Sequence, residues 1–296
     1  MSGGAGGGTA VDPCEVDVTV NSAKSIQDLA GVSCARTMYV LNSTLTTLEG
    51  LEHFTKLTSL IVGYTPQLSF DVVGNPVLQS LKGLEGLSQV EFIHIEGDPK
   101  LTDLSGLSGL TKNMGKLEIV DNDSLASLEG LNNLSEAGDV AITGNKLLTD
   151  LKGLRGLTHL NSLVLENEPL IKNFVGLDNV TYFGSWSSDI IGNDALEDFT
   201  GLAKVASIGN EFTVANNKSL KSFNGFQSLK LLAWTFTVSG NPELSSISAL
   251  STVNEIRSDV AIKDNPKLPS CQIQAMLAGA GKTCTCSGND DAASCQ

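Results

Sequence analysis

Residues 138–154 read GDVAITGNKLLTDLKGL. Val140 and Ile142 form an apolar pair at i and i+2, Asn145 follows three residues later, and Leu148, Leu151 and Gly153-Leu154 complete the unit. The leucine after the Asn recurs as Leu78, Leu101, Leu125, Leu148, Ile171, Leu196, Leu220, Leu244 and Leu268, at gaps of 23, 24, 23, 23, 25, 24, 24 and 24 residues. A steady period in this range marks a solenoid, whose units bury their apolar faces only by stacking on one another.

Each coil carries a short strand with two inward side chains. They are Ile93 and Ile95, Leu117 and Ile119, Val140 and Ile142, Leu163 and Leu165, Phe212 and Val214, Phe236 and Val238, Val260 and Ile262. Alternation at period 2 sends these residues to one face and their neighbours to the other. Coils stacked about 4.8 Å apart make the strands one parallel sheet.

After each strand comes a polar position held by Asn75, Asp98, Asn122, Asn145, Glu168, Asn193, Asn217, Asn241 and Asn265. A bend inside a solenoid buries backbone groups without a strand partner, and a short amide brings both donors and an acceptor to satisfy them. An Asn ladder is the expected result, in preference to a column of metal-binding oxygens. Proline follows at Pro76, Pro99, Pro169, Pro242 and Pro266, where the chain turns. The Gly-Leu step, from Gly83-Leu84 to Gly201-Leu202, indicates positive φ or close contact between coils; Ala249 at the same place argues against positive φ there.

The remaining segments divide as a Gly/Ser-rich tether over 1–13, an N-terminal cap over 14–40, coils over 41–268 and a Cys-rich C-terminal cap over 269–296. In the first cap, Asn21-Ser22 begins a short helix over 25–30. In the last, Ser270 is the N-cap of a helix whose Ile273, Met276 and Leu277 share a face, and the period stops after Leu268. Residues 64–75 hold an insertion that loops out of the stack.

Six cysteines lie outside the periodic body: Cys14, Cys34, Cys271, Cys284, Cys286 and Cys295. Paired cysteines confined to the ends indicate disulfides that staple the caps, and an oxidising compartment. Cys14–Cys34 is expected, with Cys271–Cys284 and Cys286–Cys295 preferred among three C-terminal pairings. The one-residue spacing of Cys284 and Cys286 disfavours zinc. No metal or cofactor is expected. A net charge of −14 and a pI near 4.5 disfavour nucleic acid. No apolar run reaches the roughly 18 residues of a membrane span. The opening MSGGAGGG has the form of a tether, and a native precursor with an acylated Cys in place of Met1 would add a lipid anchor.

Binding is expected on the outward strand positions. One column runs His94, Glu118, Ala141, Val164, Asp189, Thr213, Thr237 and Ala261; the next runs Glu96, Val120, Thr143, Glu166, Ile191, Ala215, Ser239 and Lys263. Val120, Val164 and Ile191 put apolar groups on a face expected to be wet. Thr213 and Thr237 begin a hydroxyl array of the kind an ice- or crystal-binding surface needs, but Asp189 interrupts it. His53, His94 and His159 occupy different repeat positions, and no nucleophile, metalloprotease or phosphate-loop motif occurs. Trp186 and Trp234 are expected to fill coil bends. Of five N-x-S/T sequons, those at Asn122 and Asn217 fall on the ladder, so glycosylation is a poor reading of them.

These features resemble the receptor L domain family, known from growth-factor and insulin receptor ectodomains and from bacterial surface proteins. The resemblance is carried by DVTVNSAKSIQDLAGVSC at 17–34, by units such as GKLEIVDNDSLASLEGL at 115–131, and by NPKLPSC at 265–271 with SGNDDAASC at 287–295. It implies a mainly β, right-handed parallel β-solenoid of leucine-rich-repeat type with an N-terminal cap and a short C-terminal helix. It also implies a non-enzymatic recognition or adhesion module, secreted or on a bacterial surface, that binds protein or glycan. A polysaccharide-active β-helix enzyme and a structural spacer are the alternatives.

Overall fold

The computed structural model describes residues 13–63, 74–184 and 186–295. The tether, apart from Pro13, and the proposed insertion, apart from Gly74 and Asn75, lie outside the described residues.

The first half of the chain forms β1 (Val18–Val20), α1 (Ala23–Asp28), β2 (Cys34–Val40), β3 (Lys56–Gly63), β4 (Phe92–Glu96), β5 (Lys112–Val120), β6 (Glu136–Thr143) and β7 (His159–Glu166). Beyond β7 each coil strand breaks in two. The pieces are β8 (Tyr182–Phe183) and β9 (Ser187–Ile191), β10 (Ser207–Ile208) and β11 (Glu211–Ala215), β12 (Leu231–Leu232) and β13 (Phe236–Ser239), β14 (Glu255–Ile256) and β15 (Val260–Lys263). Helix α2 (Ser270–Ala280) and β16 (Thr285–Ser287) complete the chain. All pairings are parallel. The main sheet runs β1-β2-β3-β4-β5-β6-β7-β9-β11-β13-β15-β16, and the short pieces β8, β10, β12 and β14 pair beside it. The protein is a mainly β, parallel solenoid-like stack.

Every inward pair named above is buried, and Leu78, Leu101, Leu125, Leu148, Ile171, Leu196, Leu220, Leu244 and Leu268 are fully so. In the later coils Phe174, Phe199, Phe223 and Phe226 replace aliphatic side chains, and the Phe174 and Phe199 rings stack at 5.2 Å. Of the Gly-Leu glycines, Gly201 has φ +112, and a Cβ there would lie 2.1 Å from the Phe174 carbonyl oxygen. At Gly153 φ is not positive, yet a Cβ would still lie 2.1 Å from the Leu128 carbonyl oxygen. Close approach of coils is therefore the shared requirement, and positive φ belongs to some coils only.

The ladder amides lie in one buried line. Asn122 donates its backbone N–H to Asn145 Oδ1 at 3.1 Å and its Nδ2 hydrogens to the Ile95 carbonyl at 3.0 Å. Asn193, Asn217 and Asn241 repeat both bonds, each to the next ladder residue and to the preceding coil. The line continues one step beyond Asn265, to Asn289 Oδ1 at 3.3 Å.

From Asp98 onward, the position before each ladder residue is left-handed backbone, and its residues alternate. Gly97, Asp121, Gly144, Asn167, Gly192, Asn216, Gly240, Asp264 and Gly288 all have positive φ. A Cβ on Gly144 would lie 2.1 Å from Asp121 Oδ1, and Cβ atoms on Gly192 and Gly240 would lie 2.6 and 2.5 Å from the Asn167 and Asn216 oxygens. Each Asp or Asn side chain thus occupies space that the glycine of the next coil leaves open.

The ends differ from the sequence reading in three ways. Helix α1 begins two residues earlier than expected, with Ser22 as N-cap in a reciprocal capping box with Ser25. Helix α2 takes Pro269 as N-cap, so Ser270 lies inside the first turn, where its hydroxyl donates to Asp291. The repeat does not stop at Leu268: β16 pairs with β15 in register, setting Cys286 opposite Ile262. Cys284 and Cys286 stand two apart on one strand face and bond each other, with Cα atoms 5.4 Å apart. Cys271, in the first turn of α2, joins Cys295. The expected Cys271–Cys284 and Cys286–Cys295 pairing is corrected accordingly, and Cys14–Cys34 forms as expected.

Candidate functional site

Strand register brings the outward residues together. Ile61, His94, Glu118, Ala141, Val164 and Asp189 are successive cross-strand neighbours, followed by Thr213, Thr237 and Ala261. Beside them run Glu96, Val120, Thr143, Glu166, Ile191 and Ala215. Val120, Val164 and Ile191 are half-buried, so neighbouring side chains shield part of each apolar group.

Charges in the early coils engage one another. The His94 ring lies 3.0 Å from Glu118 Oε2 through Nδ1 and 2.8 Å from Glu96 Oε2 through Nε2, and Lys116 Nζ lies 2.6 Å from Glu118 Oε1. The hydrogen bond to Glu118 raises the His94 pKa, and the same bond, helped by Lys116, holds Glu118 down at about 2. Burial raises Glu96 and Glu166. Imidazole and the Glu118 carboxylate therefore stabilise one another's charged forms. Among the described residues no cluster of His, Cys, Asp or Glu has the form of a metal site.

A shallow concavity of about 400 Å³ lies on this face over β5, β6, β7 and the start of β9. Its lining includes Lys116, Glu118, Asp139, Thr143, Val164 and Trp186. Ser162, also in the lining, donates its hydroxyl to Asp139 Oδ1 at 2.7 Å. Lys116, Asp139 and Ser162 form a third outward column in register, one step toward the strand starts. The two-column reading of the sequence omitted it, although the same period-2 rule generates it.

The tryptophans do not fill coil bends. Trp186 is 77% exposed and Trp234 57% exposed. They occupy the corners between the short ribbon and the main sheet, immediately before β9 and within the β12–β13 link. Trp186 adopts φ +66, a left-handed conformation that costs about 1–3 kcal/mol for a bulky residue. In the coil between them the equivalent residue is Asn210. It is buried, with its Nδ2 hydrogens donated to the Asn161 carbonyl and to Ser188 Oγ. The corner therefore turns outward, inward and outward over three successive coils.

Thr213 and Thr237 are neighbours in register, but Asp189 on one side and Ala261 on the other confine the hydroxyl array to two coils. Two ladder positions depart from Asn. Asp98 and Glu168 are buried, and burial pushes each carboxyl up to about 7. Among the described residues no helix is long and apolar enough to cross a membrane. No protein-family model matches the chain, and comparison with curated proteins finds no relative.

Proposed function

We propose that this chain is a non-enzymatic recognition or adhesion module of the receptor L domain type, a right-handed leucine-rich-repeat-like solenoid displayed outside the cell on a bacterial surface. It binds a protein or glycan partner through the outer face of its main sheet. The observation that carries this reading is the concavity over β5–β9, where half-buried Val120 and Val164 are bordered by charged and hydroxyl side chains and by an exposed tryptophan. Apolar groups bordered by polar ones on a rigid scaffold suit reversible recognition. One carboxylate lining the concavity, Glu118, is held ionised by His94 and Lys116, which suits it to fixing a ligand better than to donating a proton. Three disulfides fit an oxidising extracellular compartment.

The test is Val164→Arg. Its side chain points out of the sheet, so the melting temperature should change little. Capture of the partner from bacterial surface extracts, or a glycan-array signal, should disappear. Undiminished binding by the variant refutes the assignment to this face.

A further inference from the structure

Tryptophan is absent from the core, where Phe takes the large positions, and both tryptophans of the chain stand exposed at strand corners. Among the described residues the third exposed aromatic is Phe92, 50% exposed at the first residue of β4. All three thus lie along the leading edge of the main sheet. Trp186 and Trp234 hold equivalent places two coils apart, which at the parallel-strand spacing is about 10 Å. Asn210, the equivalent residue of the intervening coil, is buried and does not stand between them, while the next residue, Glu211, is exposed beside them.

We propose that this edge binds an extended, neutral, β-linked polysaccharide lying across the coils, with Trp186 and Trp234 as its two stacking platforms. The proposal rests on the reading of the outer sheet face as the binding surface, and names the ligand class. A pyranose ring has an apolar C–H face and a rim of hydroxyls. An indole offers the large flat surface that such a face covers, with a polar N–H beside it. In a ribbon-like β-linked chain alternate rings present the same face, at a spacing close to two coils of this solenoid. The hydroxyl rim next to Trp186 meets the Asp139–Ser162 pair, Thr143 and Glu118 in a concavity of about 400 Å³. That volume lies at the lower end of the ~300–1,000 Å³ of small-ligand pockets.

Charge selects the neutral class. The chain carries −14 overall, and Glu118 and Asp139 outnumber Lys116 beside Trp186, so uronates and sulfated glycans are repelled. A protein partner would favour aromatics clustered at the centre of a patch inside a protecting rim. Two tryptophans set in line along one edge fit a linear ligand better.

The experiment titrates the full chain with cellohexaose, chitohexaose and hexagalacturonate, read by calorimetry and intrinsic tryptophan fluorescence. One neutral hexasaccharide should bind and its disaccharide should bind at least tenfold more weakly. Trp186→Ala and Trp234→Ala should each lose at least tenfold in affinity, while Trp186→Tyr retains most of it. Circular dichroism and melting should be unchanged, since both side chains are exposed. The proposal is overturned if neither neutral hexasaccharide binds, if both alanine variants bind as the parent does, or if hexagalacturonate binds as tightly. Should the hexasaccharides fail while Val164→Arg abolishes partner capture, the glycan assignment falls and the outer-face reading stands. If capture survives Val164→Arg, the outer-face reading falls.

Discussion

Replacing Asp98 by Asn should stabilise this protein at neutral and alkaline pH and leave it nearly unchanged in acid. Asp98 is fully buried within the ladder. Its Oδ1 accepts the Asn75 backbone N–H at 2.6 Å and an Asn75 Nδ2 hydrogen at 2.8 Å, while its own N–H donates to Asn122 Oδ1 at 3.1 Å. Among the described residues Oδ2 has no partner. In the coils that carry Asn the second side-chain atom at this place is an amide nitrogen that donates to the preceding coil, as Asn122 does to the Ile95 carbonyl. The site is built for a donor, which a carboxyl supplies only when protonated. Burial accordingly pushes the Asp98 pKa from 3.8 to about 7.

A pKa raised on folding means that the native state holds its proton while the unfolded chain has already released it. The Asp98 contribution to stability is therefore fully present below about pH 4, is lost between about 4 and 7, and is level above. Three units at ~1.4 kcal/mol each make the loss about 4 kcal/mol. The amide introduced by Asp98→Asn keeps the acceptor, adds the missing donor and cannot ionise. At pH 8 the variant should exceed the parent by about 2–4 kcal/mol, and at pH 4 the two should agree within about 1 kcal/mol. Urea unfolding followed by circular dichroism at pH 4, 6 and 8 measures the difference. A pH-independent gap between the two proteins, or a parent more stable than the variant at pH 8, would refute the reasoning.

Gly201→Ala should lower the urea midpoint far more than Gly31→Ala. The first combines φ +112 with a carbonyl 2.1 Å from the new Cβ and should cost about 3 kcal/mol or more, whereas Gly31, at φ +89 with nothing within 4 Å, should cost about 1 kcal/mol. Equal costs would show that coil contact does not govern the Gly-Leu position. Peptide mapping of the unreduced protein should recover Cys271 linked to Cys295 and a loop closed between Cys284 and Cys286. A peptide joining Cys271 to Cys284 would contradict this connectivity.

The parts of the fold fixed by period were legible in the sequence. Val140, Ile142, Asn145 and Leu148 sit where a repeating coil needs apolar, apolar, amide and apolar groups, and burial follows that order. Helix α2 hid the final coil because it replaces the Leu and Gly-Leu steps of that coil, although Ser287-Gly288-Asn289 keeps the 24-residue spacing and repeats Ser239-Gly240-Asn241. Cys284 and Cys286 were read as bridge-formers alone and not also as occupants of the two inward strand positions. The outward face of the main sheet was legible in two columns of three. The outward turn of Trp186 and Trp234 was not legible, because it depends on where the coil strands break in two. That break is set by packing of the neighbouring coils, and no single repeat unit encodes it. Tryptophan composition alone suggested burial, and the structure reverses that expectation.

The alternation of Gly with Asp or Asn before the ladder makes two coils, not one, the unit in which this molecule can change length. Excise the coil bearing Gly144 and Asn167 would follow Asp121 directly, with a Cβ where only a hydrogen fits, 2.1 Å from the Asp121 oxygen. Excise the coil bearing Asn167 instead, and two glycines adjoin with no side chain over the space between them. Removing or inserting coils as doublets between Gly97 and Gly288 keeps every Asx over a glycine. From Gly97 to Gly288 the stack has, in effect, a parity, broken only before it, where Gly74 adjoins Gly97, and versions shortened or extended within that span should fold best when the parity is kept.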